Sequence, residues 1–260
     1  MDQSSRSCLQ ALITGGGSGI GQAAAYDLAK QGVIVHLLGR SGKVFDTMNS
    51  IVDAGGRAYA YQGSVAEMDV CQDVIKQIAL KFGKIDILIN AAAILGPVQP
   101  FYELSMRAFA DVYSVNLLGT ANCMRAVMPG MLAREFGRII NFAGGGAAYA
   151  YPQFSAYGVS KCAVVRLTET VAAEVKNTGV TVNVIAPGAV ETEMLAEVRR
   201  HGGAIHTLVN MIEPVTLLRF LASFESGHIN GRFIHVRDNY QSSDLLSNAE
   251  LWKLRRVESR

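Results

Sequence analysis

The sequence predicts an α/β fold: one doubly wound parallel sheet of about seven strands with helices on both faces. Three observations predict it. Short, nearly continuous apolar runs alternate with longer amphipathic stretches, the rhythm of buried parallel strands separated by covering helices. A glycine-rich turn, "TGGGSGIG", directly follows the first apolar run and opens the first helical stretch. The 260 residues, half of them hydrophobic, suit one large domain, residues 1–260, better than two small ones.

Taken in order, the predicted strand "LQALIT" is followed by a helix from Gly21 to Gln31, the strand "VIVHLLG", a helix from Val44 to Ala54, the strand "AYAYQG", a helix from Met68 to Phe82 and the strand "IDILIN". The second half continues with a long helical stretch from Met106 to Glu135, the strand "RIINFA", a helix from Ser155 to Asn177, the strand "VTVNVIAP" and a last strand near "RFIHV". About six helices result. The least regular segment, 191–213, has "HGG" at its centre and follows a strand end, where open α/β sheets bind ligands. It is the expected substrate lid. From Gln241 onward, residues 241–260 place Lys253, Arg255, Arg256 and Arg260 beside Asp244, Glu250 and Glu258 around Trp252, a pattern read as a solvated or subunit-contacting tail.

Composition excludes several classes. A net charge of +2, from 24 basic and 22 acidic residues spread along the chain, leaves no footprint for nucleic acid. Cys8, Cys71, Cys123 and Cys162 are far apart and form no CxxC pair, so they read as reduced thiols. His201 and His206, five apart with no Cys or carboxylate cluster, do not make a metal site, and none is expected. The start, "MDQSSRSCLQ", lacks the apolar core of a signal peptide, and no run reaches the roughly 18 to 20 apolar residues of a membrane span. A cytoplasmic protein acting on a small molecule, with no nucleic-acid or membrane partner, is the expectation.

In "LITGGGSGIGQAAAYDLA", Gly15, Gly19 and Gly21 stand after a strand and at a helix opening. Glycine is needed there for a tight turn, for close approach of a pyrophosphate to the backbone, and for helix–strand packing without a Cβ. Glycine clusters also make plain structural turns, but the strand-turn-helix context favours a dinucleotide site. An acid about twenty positions on would bind the adenosine ribose and repel a 2′-phosphate, whereas Arg accommodates that phosphate. The second strand ends "HLLGRSGK", with Gly39 in the acid's place and Arg40 and Ser41 after it, so NADP(H) is favoured over NAD(H).

Tyr157 and Lys161, four apart on a predicted helix, project from one face. A free phenol titrates near 10, and an adjacent ammonium is expected to favour the phenolate and make a usable acid/base.

The glycine turn, "INAAAIL", "SVNLLGT", "SAYGVSK" and "VNVIAPGAVET" occur in the order of the motifs of the short-chain dehydrogenase/reductase family, and the chain resembles that family from about Leu9 to Val236. The resemblance implies a Rossmann fold and an NAD(P)-dependent oxidoreductase that pairs through its two long helices into a homodimer or homotetramer. It implies that Tyr157 passes a proton to a substrate carbonyl, that Lys161 also holds the nicotinamide ribose, and that Asn116 positions a water connecting Lys161 to solvent. Cofactor contacts are implied at Gly15, Ser18, Gly19, Ile20, Gly21, Ser64, Val65, Asn90, Ala91, Pro187, Gly188 and Thr192, beside Arg40, Ser41, Tyr157 and Lys161. Departures are Ser64 for the family's Asp, Ala91 to Ala93 after Asn90, and "VRDN" for the closing "VDGG".

The main departure is a missing serine. The family's Ser, usually thirteen residues before the Tyr, falls on Gly144, and one residue earlier on Ala143. Ser155 is a poor substitute and is expected to cap the helix start. Losing one such donor costs on the order of 10² to 10³ in rate. Four readings are open: a slower reductase, a replacement donor from Tyr149 or Tyr151, a redirected or lost activity, or a deliberate substitution. Gly144, Gly145 and Gly146 make either a roomy pocket for a bulky or polyhydroxylated substrate, whose oxygen backbone N–H groups approach, or merely a flexible turn. The expected reaction interconverts a ketone and a secondary alcohol; the alternatives are an epimerase or isomerase using bound cofactor, or a dinucleotide sensor.

Overall fold

The computed structural model describes residues 8–205, 207–242 and 252–254. Seven strands, β1 (Gln10–Thr14), β2 (Ile34–Gly39), β3 (Ala58–Gln62), β4 (Ile87–Asn90), β5 (Gly137–Phe142), β6 (Val180–Ala186) and β7 (Phe233–His235), form one sheet in the order β3-β2-β1-β4-β5-β6-β7. Every pairing is parallel. Parallel strands need crossovers, which the helices α1 (Gly19–Lys30), α2 (Lys43–Asp53), α3 (Met68–Phe82), α4 (Met106–Tyr113), α5 (Gly119–Ala133), α6 (Ser155–Glu174), α7 (Glu193–Arg200) and α8 (Ile212–Leu221) supply.

Strand side chains alternate between faces, which divides the core in two. Ala11 and Ile13 join Val35, Leu37, Ile87 and Ile89 under α1, α2 and α8; Leu12 joins Leu38, Leu88 and Ile139 under α3 and α5. Strand order reverses at β1, between β2 and β4, and at such a switch point the carboxyl ends of the strands open a crevice.

The structure differs from expectation in three places. The stretch expected as one helix from Met106 to Glu135 contains a π-helical turn, Ser114–Leu118, between α4 and α5. The segment 191–213 contains α7, and α8 follows it, so eight α-helical segments stand among the described residues where about six were expected. An apolar run explains α8: Pro214, Val215, Leu217, Leu218 and Leu221 are buried against α1 and the sheet.

Trp252 and Leu254, expected in a solvated or subunit-contacting tail, pack on their own chain. The N–H of Phe233 in β7 donates to the Trp252 carbonyl (2.7 Å), and Arg166 and Glu169 of α6 hold the backbone of Leu254. Asp244, Glu250, Arg255, Arg256, Glu258 and Arg260 lie outside the described residues, as does His206. Cys71 and Cys123, distant in sequence, meet between α3 and α5 as thiols with sulfurs 3.6 Å apart. No described helix is long and apolar enough to cross a membrane.

Candidate active site

The crevice begins at the turn between β1 and α1. Gly15 has φ +69° and donates its N–H to the Leu38 carbonyl (2.8 Å); a β-carbon on it would stand 2.8 Å from Ala92 N. A β-carbon on Gly21 would stand 2.5 Å from the Gly15 carbonyl oxygen. Gly19, at φ +55°, is capped across the crevice by Thr192, 3.4 Å from where its β-carbon would be. The glycines are therefore required by contact. They leave the start of α1, with no acidic residue in its first turn, facing a cavity of about 730 Å³. Unpaired N–H groups at a helix start favour an anion such as a pyrophosphate.

Gly15, Ser18, Gly19, Ile20, Gly21, Arg40, Ser64, Val65, Ala91, Tyr157, Lys161, Pro187 and Thr192 all line this cavity. Ser41, Asn90, Asn116 and Gly188 do not. Ser41 is exposed beside Arg40. The buried Asn90 side chain donates to Asn141 Oδ1 (2.9 Å), and Asn141 donates to Thr168 Oγ1 (2.9 Å), a ladder bracing β4, β5 and α6 below the cavity floor. Gly188 turns the chain at φ +70° against Val209.

Asn116 sits in the π turn with its carboxamide fully engaged. It receives the Ile94 N–H (2.9 Å) and donates to the Ile94 carbonyl (3.0 Å) and to Ser160 Oγ (3.0 Å). Its own carbonyl accepts from Thr120 (2.9 Å). The side chain thus ties the loop after β4 to α6, the helix that carries Tyr157 and Lys161.

Tyr157 and Lys161 are buried one turn apart, with Lys161 Nζ 5.7 Å from the Tyr157 ring centre. Lys161 donates to the Phe142 carbonyl at the end of β5 (3.1 Å), and burial pulls its ammonium down to about 8. The phenol differs from expectation. Burial, with Tyr151 and Tyr149 nearby, raises its titration well above the usual 10, so the phenol stays protonated.

The three glycines are neither roomy nor a loose turn. A β-carbon on Gly144 would overlap Tyr157 Oη and lie 3.0 Å from its Cζ; one on Gly145 would lie 3.0 Å from Tyr151 Cε1; one on Gly146, at φ +84°, would lie 2.8 Å from Gly158 Cα. Each omitted side chain corresponds to an aromatic ring or helix backbone packed in its place. The Tyr157 phenol occupies the space a residue-144 side chain would need. Tyr151 donates its hydroxyl to the Ala204 carbonyl (3.0 Å). Ser155 does not cap α6: Phe154 holds the cap position, and the Ser155 hydroxyl is buried without a partner.

The wall opposite Tyr157 comes from α7, which sequence reading left without a named site residue beyond Thr192. Thr192 caps α7 by accepting the Leu195 N–H (3.2 Å), and Glu193, Met194 and Glu197 then face the cavity. Met194 Sδ is 3.9 Å from Tyr157 Oη, and Glu193 pairs with Lys43 of α2 (2.7 Å). The available signal was the polar cap followed by apolar residues at Met194, Leu195 and Val198, a one-sided helix after a strand end. Leu95, in the loop after β4, closes the "INAAAIL" stretch, of which only Asn90 and Ala91 were expected at the site.

Residues 10–202 match the family profile described as short chain dehydrogenase. The chain is 32% identical over 240 residues to the 3-oxoacyl-[acyl-carrier-protein] reductase FabG of Staphylococcus epidermidis, covering 87% of this chain and 96% of that protein. The fold superposes on a variant of actinorhodin polyketide ketoreductase solved with NADPH (TM-score 0.83, 28% identity, 88% and 95% of the two chains). It also superposes on NAD⁺-bound xylitol dehydrogenase (TM-score 0.79, 25% identity, 88% and 98%). The order of the strands, the glycine-lined crevice and these matches along most of the chain agree: it belongs to the short-chain dehydrogenase/reductase family of NAD(P)-dependent oxidoreductases.

Proposed function

We propose that this chain uses NADP(H) in preference to NAD(H) to interconvert a ketone and a secondary alcohol on a small molecule, with Tyr157 as the acid/base. The observation that carries the reading is the burial of Tyr157 and Lys161 one turn apart on the wall of the cavity that starts at the glycine turn. The bound dinucleotide would supply or accept the hydride. Gly15, Ser18, Gly19, Ile20 and Gly21 would hold its pyrophosphate, Ser64, Val65 and Ala91 its adenosine side, and Pro187 and Thr192 its nicotinamide side.

Cofactor choice rests on the end of β2. Arg40 lines the cavity there, and an acid at position 39 would meet Val44 Cγ1, 2.7 Å from the β-carbon. The ketoreductase solved with NADPH and the xylitol dehydrogenase solved with NAD⁺ show that the fold takes either, so Arg40 and Gly39 decide.

Tyr157 is a proton donor in the reducing direction because burial keeps its phenol protonated. Lys161 has two ammonium hydrogens left after its bond to Phe142 and stabilises charge developing on Tyr157. Asn116 acts as a positioning residue, tying Ile94 in the loop after β4 to Ser160, which lies between Tyr157 and Lys161 on α6. The protein works in the cytoplasm as a homodimer or homotetramer, and the exposed Met106, Leu118, Leu132 and Val159 on the two long helical stretches support pairing there.

Calorimetric titration with NADPH and NADH, followed by NADPH oxidation with a ketone panel, tests the reading. NADPH should bind more tightly, and Tyr157→Phe should lose roughly 10²-fold or more in kcat at unchanged NADPH affinity. Absence of cofactor binding would refute it; binding without turnover would favour a sensor.

A further inference from the structure

The site has one reactive centre and, around it, an unusually uniform wall. Tyr157 clusters with Leu95 and Phe154, and Val98, Tyr151, Met194 and Val198 pack against that group. Tyr151 and Phe154 stack face to face, with ring centres 4.3 Å apart at 15°, and Tyr149 meets Tyr151 edge-on. The Tyr151 hydroxyl is committed to the Ala204 carbonyl.

On the α7 side every charged group at the cavity is already in an ion pair. Glu193 and Glu197 both line it, whereas Arg199 is held by Glu191 and Arg200 by Glu197 (3.5 Å). Lys43, the cation nearest the other end of α7, is paired with Glu193.

We propose that the substrate is a neutral, compact, apolar ketone, cyclic or aromatic, rather than a polyhydroxylated or anionic one. This rests on the ketone-reductase reading above. A sugar-like substrate carries several hydroxyls that must give up water, and each one left facing Leu95 or Met194, the apolar residues that line the cavity here, without a partner costs affinity. An apolar ring loses nothing polar on entry and gains contact area there. A keto acid would bring its carboxylate toward Glu193 and Glu197, where each cation on or beside α7 is already committed to an acid and none is left to receive it.

Size follows from the same contacts. Gly144, Gly145 and Gly146 are filled by Tyr157, Tyr151 and Gly158, so the loop adds no room. Met194 Sδ is 3.9 Å from the phenol oxygen, so a carbonyl that takes the Tyr157 hydroxyl displaces this contact. Methionine is the side chain best suited to yield there, being unbranched and adaptable. The carbonyl then meets the Tyr157 hydroxyl, while the carbon framework meets Leu95 and Met194.

The test uses the full chain with saturating NADPH and four probes: 1-tetralone, 4-methylcyclohexanone, xylulose and 5-ketogluconate. NADPH oxidation should give kcat/KM values for the two apolar ketones roughly 10²-fold or more above those for the keto-sugar and the keto acid. Met194→Gln, close in length but polar, should narrow that ratio about tenfold by weakening the apolar probes. Xylulose or 5-ketogluconate turned over as well as 1-tetralone would overturn the inference while leaving the role of Tyr157 intact. NADPH binding with turnover of none of the four would overturn the reductase reading and this inference with it.

Discussion

Gly144 and Tyr157 share one volume: a β-carbon on Gly144 would overlap the phenol oxygen and stand 3.0 Å from Cζ. Two consequences follow. The absent serine cannot be restored without moving the tyrosine, and the tyrosine reaches its present place only because residue 144 has no side chain. Gly144→Ser and Gly144→Ala should both displace the phenol and lower kcat, by about 10²-fold for a shift near 1 Å. A gain in kcat for Gly144→Ser in steady-state kinetics would mean that the phenol can step aside and that the serine hydroxyl is the missing part.

Arg40 makes the cofactor prediction sharpest. Its backbone carbonyl is held by Gln62 Nε2 (3.2 Å), which leaves the guanidinium at the cavity edge. Arg40→Ala should weaken NADPH binding about 10- to 100-fold, the range of a charged hydrogen bond, and leave NADH binding nearly unchanged. Equal losses for both cofactors, measured by calorimetry, would take the 2′-phosphate away from Arg40.

The sheet, its crevice and the Tyr157–Lys161 pair were legible in sequence because each follows from a local rule. Apolar runs mark buried strands, Gly15 and Gly21 sit where a β-carbon has no room, and a spacing of four puts two side chains on one face. What was not legible depends on contacts between distant segments. The burial that raises the Tyr157 phenol comes in part from Leu95 after β4 and Met194 of α7, both far from it in sequence. The reason for Gly144 lies thirteen residues away in a ring position that spacing alone does not reveal. The Asn90–Asn141 bond between neighbouring strands was likewise hidden, because it depends on the pairing register of β4 and β5. α8 lacked a marking motif and was built by burial of its apolar face.

Lys161 should cost stability that function requires. Its folded value of about 8 is below the ordinary 10.5, with burial as the cause. Stability therefore rises with pH from about 8 toward 10.5, where the unfolded chain still holds the proton and the folded chain does not, and the cost of the buried ammonium is fully present below 8. Lys161→Met should remove that rise and stabilise the cofactor-free protein at pH 7 by roughly 1 to 3 kcal/mol, while abolishing turnover. Urea unfolding of both proteins at pH 7 and pH 9.5 measures it; a destabilised Met variant would show that the bond to Phe142 outweighs the buried charge.

His36 sets the acid limit of the fold. It lies fully buried in β2, with Nε2 2.9 Å from Gln10 Oε1 and Nδ1 3.3 Å from the Tyr61 hydroxyl. One neutral tautomer satisfies both contacts: Nε2–H donates to Gln10 and Nδ1 accepts from Tyr61. Burial, then the nearby Lys81 ammonium, lowers its titration from 6.5 to about 4. The unfolded chain therefore takes up a proton first as pH falls, so the stability this neutral imidazole provides is full above about 6.5 and is lost progressively toward 4. Between pH 7 and pH 5 the loss should be about 2 kcal/mol. Carboxylates also titrate over part of that range, so the comparison is with His36→Gln, which keeps hydrogen-bonding groups and cannot be protonated. Urea unfolding at both pH values should show a drop for the wild type that is larger by about that amount. Equal drops would mean that a protonated imidazole is tolerated between Gln10 and Tyr61, and that the stacking on Tyr59 (5.5 Å, 17°) and edge contact with Phe82 (4.7 Å), not the charge state, hold this part of the sheet.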